Sequence, residues 1–267
     1  MRESIRKYLR PEAFPSTFCA GCGHPIIMEV VLEAIDELGL DIDQCLFASG
    51  IGCASWIPSP HYLADTLHTT HGRALAFATG AKIYNPSLNV FVISGDGDLA
   101  SIGGNHLIHA ARRDLDVTVV CANNMIYGMT GGQVASTTPE GSFTATTPEG
   151  NLERPFDLCR LVDGAGATYV ARWFVGNRDS LRESIKRGHL HKGFSFVEAI
   201  SPCPTHYVKM NKPAGNEDAK SLFGRGAFIT REEAAKLGPE ESTGKIVIGE
   251  FVVPKDLSNG VSLGGER

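Results

Sequence analysis

The sequence lacks any apolar run of the ~18–20 residues that a helix needs to span a bilayer. It also lacks an excess of positive charge: 25 Lys and Arg face 30 Asp and Glu, and the net charge of -5 argues against nucleic-acid and anionic-membrane partners. The first ten residues are charged and contain no apolar core of a signal peptide, so we expect a cytoplasmic protein. The composition, with 42% hydrophobic and 21% charged residues, is ordinary for a globular protein. The length allows one or two domains.

Apolar runs alternate with helical patterns along most of the chain. We expect strands at 44–49, 89–94, 116–122, 167–174 and 194–200, and helices at 25–38, 73–84, 102–113, 155–163 and 178–190. This alternation predicts an α/β fold in which helices cover both faces of a parallel sheet. The polar segment 123–154 is too long for a plain connector, which favours a functional role. Nearer the C-terminus we expect a short helix at 230–237 and an edge strand at 244–253 that needs a surface to lie on.

Two polar turns follow neighbouring strands of this predicted sheet. The run Gly-Asp-Gly-Asp at 95–98 ends one strand, and Asn123-Asn124 ends the next, with Asn124 28 residues after Asp96. Because adjacent parallel strands joined by a right-handed crossover bring their carboxyl ends together, both turns should lie side by side. Asp96 and Asn124 would then offer oxygen ligands to one Mg²⁺. Either motif alone is most often a turn, whereas the pair at this spacing is far more specific.

The seven cysteines fall into two groups. A disulfide framework is not expected for a cytoplasmic chain of this length. Three cysteines sit inside apolar patterns and are expected in the core: Cys45, Cys121 and Cys159. The other four lie on loops marked by Gly or Pro: Cys19, Cys22, Cys53 and Cys203. Four loop thiolates predict one tetrahedral sulfur site, and spacing alone leaves open whether it holds structural zinc or a 4Fe–4S cluster.

These motifs together resemble one enzyme family. Gly-Asp-Gly, this spacer and Asn-Asn resemble the thiamine-diphosphate-dependent enzymes. Cys-Ala-Gly-Cys-Gly-His at 19–24, Ile-Gly-Cys at 51–53 and Ser-Pro-Cys-Pro at 201–204 are similar to the β subunits of 2-oxoacid:ferredoxin oxidoreductases. The resemblance runs from about residue 19 to 205. It implies that the four loop cysteines hold a 4Fe–4S cluster beside the thiamine.

The same resemblance implies how the thiamine cofactor is held. Mg²⁺ would be bound by Asp96, the Asn124 side chain and the backbone carbonyl of Ile126. The residues expected around the diphosphate and its metal are Gly95, Asp96, Gly97, Asp98, Asn124, Tyr127, Gly128, Met129 and Thr130. His71 and Arg73 are candidate catalytic residues, although they could equally face a partner subunit. His24 is expected near the cluster or the thiamine, or as a structural histidine.

The implied reaction is the oxidative decarboxylation of a 2-oxoacid with coenzyme A, with electrons passing through the cluster to ferredoxin. The segments 128–133 and 146–151 look most like the 2-oxoglutarate type, whose products are succinyl-CoA and CO₂. Arg73, Arg154 or a partner residue would bind the distal carboxylate. Pyruvate and branched-chain 2-oxoacids are alternative substrates. A non-oxidative thiamine enzyme with structural zinc, and a zinc-stabilised binding subunit without catalysis, are alternative functions.

Two parts of such an enzyme are missing from the sequence. Thiamine enzymes take an activating Glu from a pyrimidine-binding domain, and no second α/β domain is evident, so the resemblance implies an α subunit and an (αβ)₂ or larger complex. No ferredoxin-type run of cysteines is present either, so a ferredoxin or a ferredoxin-like subunit should accept the electrons. We therefore divide the chain into a thiamine- and cluster-binding α/β domain at 1–205 and an extension at 206–267 that packs on the partner subunit.

Overall fold

A computed structural model describes residues 2–211, 223, 226–237 and 244–254. The strands are β1 (Cys45–Ser49), β2 (Asp65–His68), β3 (Asn89–Gly95), β4 (Val117–Asn123), β5 (Tyr169–Phe174), β6 (Phe194–Ile200), β7 (Phe228–Thr230) and β8 (Ile246–Val252). They form one sheet in the order β2-β1-β3-β4-β6-β5-β8-β7. Within the described chain β8 runs antiparallel to β5 and the other neighbours are parallel. The predicted α/β class is confirmed, with β8 and β7 added at one side of the sheet in the direction opposite to the other strands.

The helices are α1 (His24–Leu38), α2 (Ala74–Tyr84), α3 (Gly104–Arg112), α4 (Leu158–Gly164), α5 (Arg178–Leu190), α6 (Lys209–Asn211) and α7 (Arg231–Lys236). Short 3₁₀ turns cover Glu3–Tyr8, Pro11–Ala13, Ile42–Gln44 and Cys53–Trp56, and π-helical turns cover Gly97–Ile102 and Pro204–Val208. The longest helix, α1, has Pro25 in its first turn and ends at Gly39, whose φ of 64° suits a left-handed cap. The helix expected at 102–113 is confirmed as α3, and a π-helical turn that begins directly after Asp96 precedes it.

Helices cover both faces of the sheet and bury two cores. On one face α1 and α5 pack against β1, β3 and β6, and on the other α2, α3 and α4 pack against the same central strands. Ile27, Val31 and Ile35 recur every four residues along α1 and are fully buried. Burying each such side chain stabilises the fold by about 1.5–3 kcal/mol. This two-sided packing explains why the central strands read as continuous apolar runs.

Two strands were not predicted. β2 is four residues long, with exposed ends, and β7 has three residues, so neither carries a clear apolar pattern. The strand expected at 244–253 exists as β8, but it is not an edge strand, because it pairs with β5 on one side and β7 on the other within this chain's own sheet. A contact of the extension with a partner stays a prediction, and parts of residues 206–267 lie outside the described residues. Among the described helices, none has the length and apolar character that crossing a bilayer requires.

The sheet brings four loops to one edge. β1, β3, β4 and β6 are consecutive parallel neighbours, so the segments that follow their carboxyl ends adjoin one another. The loop before α1 joins them, because the N–H of Gly23 donates to the carbonyl of Pro202 at 3.3 Å. Gly23 is required there: a Cβ would lie 2.5 Å from Oγ of Ser201. The carboxyl edge is where ligands bind in parallel α/β sheets.

Candidate active site

A cavity of about 110 Å³ opens at the carboxyl ends of β3 and β4, and we call it the Asp96 cavity. Its walls contain every residue predicted to hold the diphosphate or its metal, together with His24 and His71: Gly95, Asp96, Gly97, Asp98, Asn124, Ile126, Tyr127, Gly128, Met129 and Thr130. The strand order therefore brings the two sequence motifs together, as expected from a single crossover. Arg73 differs, because its guanidinium bonds to the carbonyl oxygens of His71 and Gly72 and it lines neither this cavity nor the next.

Asp96 is a buried carboxylate with no basic side chain bonded to it among the described residues. It is 2% exposed, and its oxygens accept hydrogen bonds from the hydroxyl of Thr137 and the N–H of Asn124. Burial raises the pKa of Asp96 to about 6, because desolvation disfavours the charged form. In the described part of the chain no Lys or Arg pairs with it. A divalent cation would supply the missing charge, so this residue fits a metal ligand.

The turn after β4 holds the other two predicted magnesium ligands. Met125 has a φ of 62°, a left-handed conformation that is uncommon outside glycine. Oδ1 of Asn123 accepts from the N–H of Met125 at 2.9 Å, and Oδ1 of Asn124 accepts from the N–H of Ile126 at 3.2 Å. The carbonyl of Met125 accepts from the hydroxyl of Thr138 at 2.7 Å. The turn is thus fixed on both sides of the Met125 peptide, with Asn124 and Ile126 at the wall of the cavity.

Asp98 lines the cavity, but both oxygens of its carboxylate accept hydrogen bonds from protein groups. Oδ2 accepts from the hydroxyl of Ser94 at 2.6 Å, and Oδ1 accepts from the N–H groups of Gly72 at 2.7 Å and Ile51 at 3.0 Å. Nδ1 of His71 bonds to the same Oδ1. This carboxylate therefore ties the loops after β1 and β2 to β3. It also fixes the ring of His71 and leaves Nε2 for a ligand.

A second cavity, of about 280 Å³, is lined by all four loop cysteines, and we call it the thiol cavity. Burial, together with charge repulsion from the other loop thiols, raises the pKa of Cys22 to about 12 and that of Cys53 to about 11. Four thiolates this close need a cationic centre between them, so the donor set fits a metal or a metal cluster. By contrast Cys45, Cys121 and Cys159 are buried in the core, as expected.

The four loop thiols line one cavity without converging on a single metal position among the described residues. Among the described residues, no three His, Cys, Asp or Glu side chains converge closely enough to hold one metal ion. A tetrahedral zinc would draw its sulfurs to about 3.8 Å from one another, given zinc–sulfur bonds of about 2.3 Å. Cys53 and Cys203 flank Gly128, where an added Cβ would lie 3.6 and 3.5 Å from their sulfurs. Four thiols that line one cavity fit a centre with four sulfur ligands, such as a zinc ion or a 4Fe–4S cluster.

The two cavities adjoin. Cys53, Asn124, Gly128 and Met129 line both of them. His24 is buried beside this wall and its Nδ1 bonds to Oγ of Ser201 at 2.8 Å. Burial lowers the pKa of His24 to about 4, so the ring is neutral. His24 therefore contacts the loop that carries Cys203 and also lines the Asp96 cavity.

Three functional contacts escaped the sequence analysis. Thr137 and Thr138 reach back from the long polar loop to Asp96 and to the turn after β4, and Ser94 holds Asp98. The near-repeat of Thr-Thr-Pro-Glu-Gly at 137–141 and 146–150 was the available signal. In the structure the first copy touches the site, whereas Thr146 accepts from the N–H of Val134 within the loop, at 3.0 Å. The predicted functional role of this loop is thereby given a physical basis.

A parallel sheet with a buried carboxylate and an asparagine pair at its carboxyl edge defines a thiamine-diphosphate-binding domain. Comparison with known families agrees, because the family model described as thiamine pyrophosphate enzyme, C-terminal TPP binding domain, matches residues 50–199.

Individual relatives narrow this class. The chain is 52% identical to 2-oxoglutarate synthase subunit KorB of Methanothermobacter marburgensis, over 92% of this chain and 85% of that protein. It is 42% identical to the 2-oxoacid:ferredoxin oxidoreductase subunit beta of Saccharolobus solfataricus, over 71% of this chain and 62% of that protein. A solved structure of 2-oxoglutarate:ferredoxin oxidoreductase from Magnetococcus marinus, with 2-oxoglutarate, coenzyme A and succinyl-CoA bound, superposes with a TM-score of 0.82 at 35% identity, covering 94% of this chain and 85% of that one.

The chain belongs to the β subunits of the 2-oxoacid:ferredoxin oxidoreductases, a family in which the relative from Methanothermobacter marburgensis is named for 2-oxoglutarate and that from Saccharolobus solfataricus for 2-oxoacids in general. The predicted family is confirmed, as are the enzyme class and thiamine diphosphate as a cofactor. As a subunit of a multi-subunit oxidoreductase, the chain has other subunits as partners.

Proposed function

We propose that this chain oxidatively decarboxylates 2-oxoglutarate together with an α subunit, producing succinyl-CoA and CO₂ and passing electrons through a 4Fe–4S cluster to ferredoxin. One observation carries the proposal: the Asp96 cavity and the thiol cavity share a wall formed by Cys53, Asn124, Gly128 and Met129. A redox centre on one side of that wall would adjoin a carbon-chemistry centre on the other. A non-oxidative thiamine enzyme has no need of this arrangement.

Mg²⁺ would be held by Asp96, the Asn124 side chain and the carbonyl of Ile126. The uncompensated burial of Asp96 supports a cation at this position. Gly97, Tyr127, Gly128, Met129 and Thr130 line the same cavity and would surround the diphosphate, with Gly95 beneath them. Asp98 would act by holding His71 and the loop before Cys53 rather than by direct contact with phosphate oxygens.

The 4Fe–4S cluster would be held by Cys19, Cys22, Cys53 and Cys203. Their common cavity and the mutual repulsion of their thiolates support a cationic centre with four sulfur ligands. The family favours a cluster over the single zinc that the sequence left open, because similar proteins are named as oxidoreductases that work with ferredoxin. The Met129 and Trp56 side chains, which also line this cavity, would exclude water from the iron.

Thiamine diphosphate supplies the electron sink that allows CO₂ to leave a 2-oxoacid. The residues of this chain position that cofactor and its substrate. Nδ1 of His71 is committed to Asp98, so Nε2 is the nitrogen that can hydrogen-bond a substrate or cofactor oxygen in the Asp96 cavity. Arg73 bonds to backbone carbonyls of its own loop and would act on a substrate only by leaving them.

2-Oxoglutarate is the proposed substrate because a 52% identical relative is named 2-oxoglutarate synthase and the Magnetococcus marinus structure contains 2-oxoglutarate and coenzyme A. Pyruvate and branched-chain 2-oxoacids are the alternatives, since a 42% identical relative is named only for 2-oxoacids. The α subunit would supply the pyrimidine-binding domain, a ferredoxin or ferredoxin-like subunit would accept the electrons, and the complex would be (αβ)₂ or larger. Residues 1–205 would bind both cofactors, and the extension at 206–267 would also contact the partner.

The test is to assemble the chain with an α subunit without air and assay three substrates. We expect a brown complex that reduces ferredoxin or viologen with 2-oxoglutarate and coenzyme A, and a chain that is inactive alone. A preference for pyruvate or 2-oxoisovalerate would overturn the substrate. A colourless protein with stoichiometric zinc would overturn the redox function.

A further inference from the structure

A buried acidic residue lies beneath the site without any part in the function described so far. Glu198 is in the middle of β6, is 1% exposed, and faces Arg172 at the matching position of β5. Nε of Arg172 donates to Oε2 of Glu198 at 2.6 Å. A charge at the centre of a sheet is costly unless it is paired and fully hydrogen-bonded. Two hydrophobic side chains could be buried at this position without the desolvation cost of charged groups, so the carboxylate suggests a function.

The other oxygen of Glu198 connects it to the turn after β4. Oε1 accepts from Nδ2 of Asn123 at 2.6 Å. This bond orients the amide of Asn123 so that its Oδ1 faces the N–H of Met125, from which it accepts at 2.9 Å. Met125 has a φ of 62°, a conformation that costs free energy in a non-glycine residue and needs such support. Asn124 and Ile126 are the residues on either side of Met125.

We propose that Glu198 is a positioning residue for magnesium and thiamine diphosphate, acting through Asn123 on the turn that carries Asn124 and Ile126. The inference rests on the proposed metal site. Asn123 itself does not line either cavity, so its role is to connect Glu198 on β6 to the turn and hold the turn in place. Asn123 is the first asparagine of the sequence motif, in which only Asn124 is a predicted magnesium ligand.

The remaining contacts of Glu198 and Arg172 make this anchor rigid. Sγ of Cys159 on α4 donates to Oε2 of Glu198 at 3.3 Å. Arg172 also pairs with Asp157, the N-cap of α4, and donates from NH1 to the carbonyl of Val247 on β8 at 3.3 Å. The carboxylate is therefore fixed from β4, β5 and α4 at once. A fixed acceptor holds the amide of Asn123 in one orientation, which preorganises the turn.

The experiment is a double-mutant cycle on the complex assembled with its α subunit. Glu198→Gln replaces one carboxylate oxygen by an amide NH₂, so Asn123 or Arg172 loses its acceptor. We expect the Kd for thiamine diphosphate, titrated at fixed Mg²⁺ by calorimetry, to rise about 10- to 100-fold. Glu250→Gln is the matched control, because Glu250 pairs with Arg187 and Tyr169 in the same sheet and lines neither cavity. It should lower the Tm while leaving this Kd unchanged.

Asn123→Ala separates positioning from other effects. We expect it to weaken thiamine diphosphate binding as much as Glu198→Gln does, and the double variant to be no weaker than either single one. If Glu198 acted on the metal only through its charge, its substitution would have the same effect in both backgrounds, and the proposal would fail. Wild-type affinity in Glu198→Gln would overturn it as well. If that variant does not assemble, Asn123→Ala alone decides, since it leaves the ion pair with Arg172 intact. Wild-type protein that binds no thiamine diphosphate would overturn the proposed function instead.

Discussion

The Asp96 cavity and the thiol cavity share a wall but are built by different means. The first is formed by strand ends whose side chains are already bonded to one another: Asp96 to Thr137, Asp98 to His71, and Asn123 to Glu198. The second brings together thiols from three loops, and burial raises the pKa of Cys22 and Cys53. The Asp96 cavity is thus preorganised by the protein, whereas the thiol cavity would be stabilised by the metal centre that we propose for it.

This difference predicts that each cavity can be emptied separately. The largest effect on activity is expected from Cys203→Ala. Cys203 lines only the thiol cavity, so the Asp96 cavity should not be affected. A cluster lacking one of four ligands should be lost, and with it the brown colour and all reduction of ferredoxin, as measured by visible absorbance and a viologen assay. Binding of thiamine diphosphate should persist. Cys45→Ala, a buried thiol elsewhere in the core, is the control and should keep the colour. A brown Cys203→Ala protein would exclude this cysteine as a ligand.

The opposite separation is expected from Asp96→Asn. The substitution removes the only negative charge that we assign to the metal, so the affinity for Mg²⁺ and thiamine diphosphate should fall by more than about 100-fold. The visible absorbance of the cluster should not change. Asp116→Asn, at a surface ion pair with Lys82, controls for loss of charge. Unchanged cofactor affinity in Asp96→Asn would show that the metal ligands are wrongly assigned.

A smaller effect within the Asp96 cavity is expected from Thr137→Val. It removes the hydroxyl that donates to Asp96 while keeping the shape of the side chain, so cofactor affinity should fall about tenfold. Thr146→Val is the matched control from the second Thr-Thr-Pro-Glu-Gly segment, whose hydroxyl bonds within the loop. Calorimetry should detect a loss in the first variant alone. Equal losses in both would mean that the loop, and not the bond to Asp96, determines affinity.

The smallest effect should appear in both cavities at once. Asp98→Asn removes a carboxylate that accepts from Ser94, Gly72, Ile51 and His71, and so joins the loop before Cys53 to β3. We expect the free energy of unfolding to fall by about 1–3 kcal/mol, measured by denaturant unfolding. Cluster retention and cofactor binding should weaken together. A loss confined to one cavity would contradict the assignment of Asp98 to the shared framework.

Sequence patterns predicted the central strands and the meeting of Asp96 with Asn124, because apolar runs are local and neighbouring strand ends adjoin. Apolar runs placed β3 and β4, and one crossover sufficed to bring Asp96 beside Asn124. β2 and β7 are too short and too exposed for such a pattern. The gathering of Cys19 and Cys22 beside Cys53 depends on how the loop before α1 docks on β6, which no spacing encodes. Only the family resemblance could therefore choose between zinc and a cluster.

The residues that hold the site residues in place could not be predicted from sequence either, because their contacts depend on the tertiary structure. Thr137 lies in an irregular loop whose path is set by tertiary contacts. Glu198 and Arg172 did carry a signal, since each interrupts an otherwise apolar strand and their charges are opposite. Buried opposite charges on neighbouring strands at matching register would have indicated the pair once the strand order was known. The order β6-β5, however, is a property of the sheet and not of either strand.

The central claim is that an iron–sulfur cluster and a magnesium-bound thiamine diphosphate occupy adjoining cavities of one chain. The most direct measurement is an anomalous difference map recorded at the iron edge from anaerobic crystals of the assembled complex with Mg²⁺ and thiamine diphosphate. We predict iron density enclosed by Cys19, Cys22, Cys53 and Cys203, with the cofactor across the wall at Gly128. Signal at the zinc edge instead, or iron density away from these four sulfurs, would contradict the account.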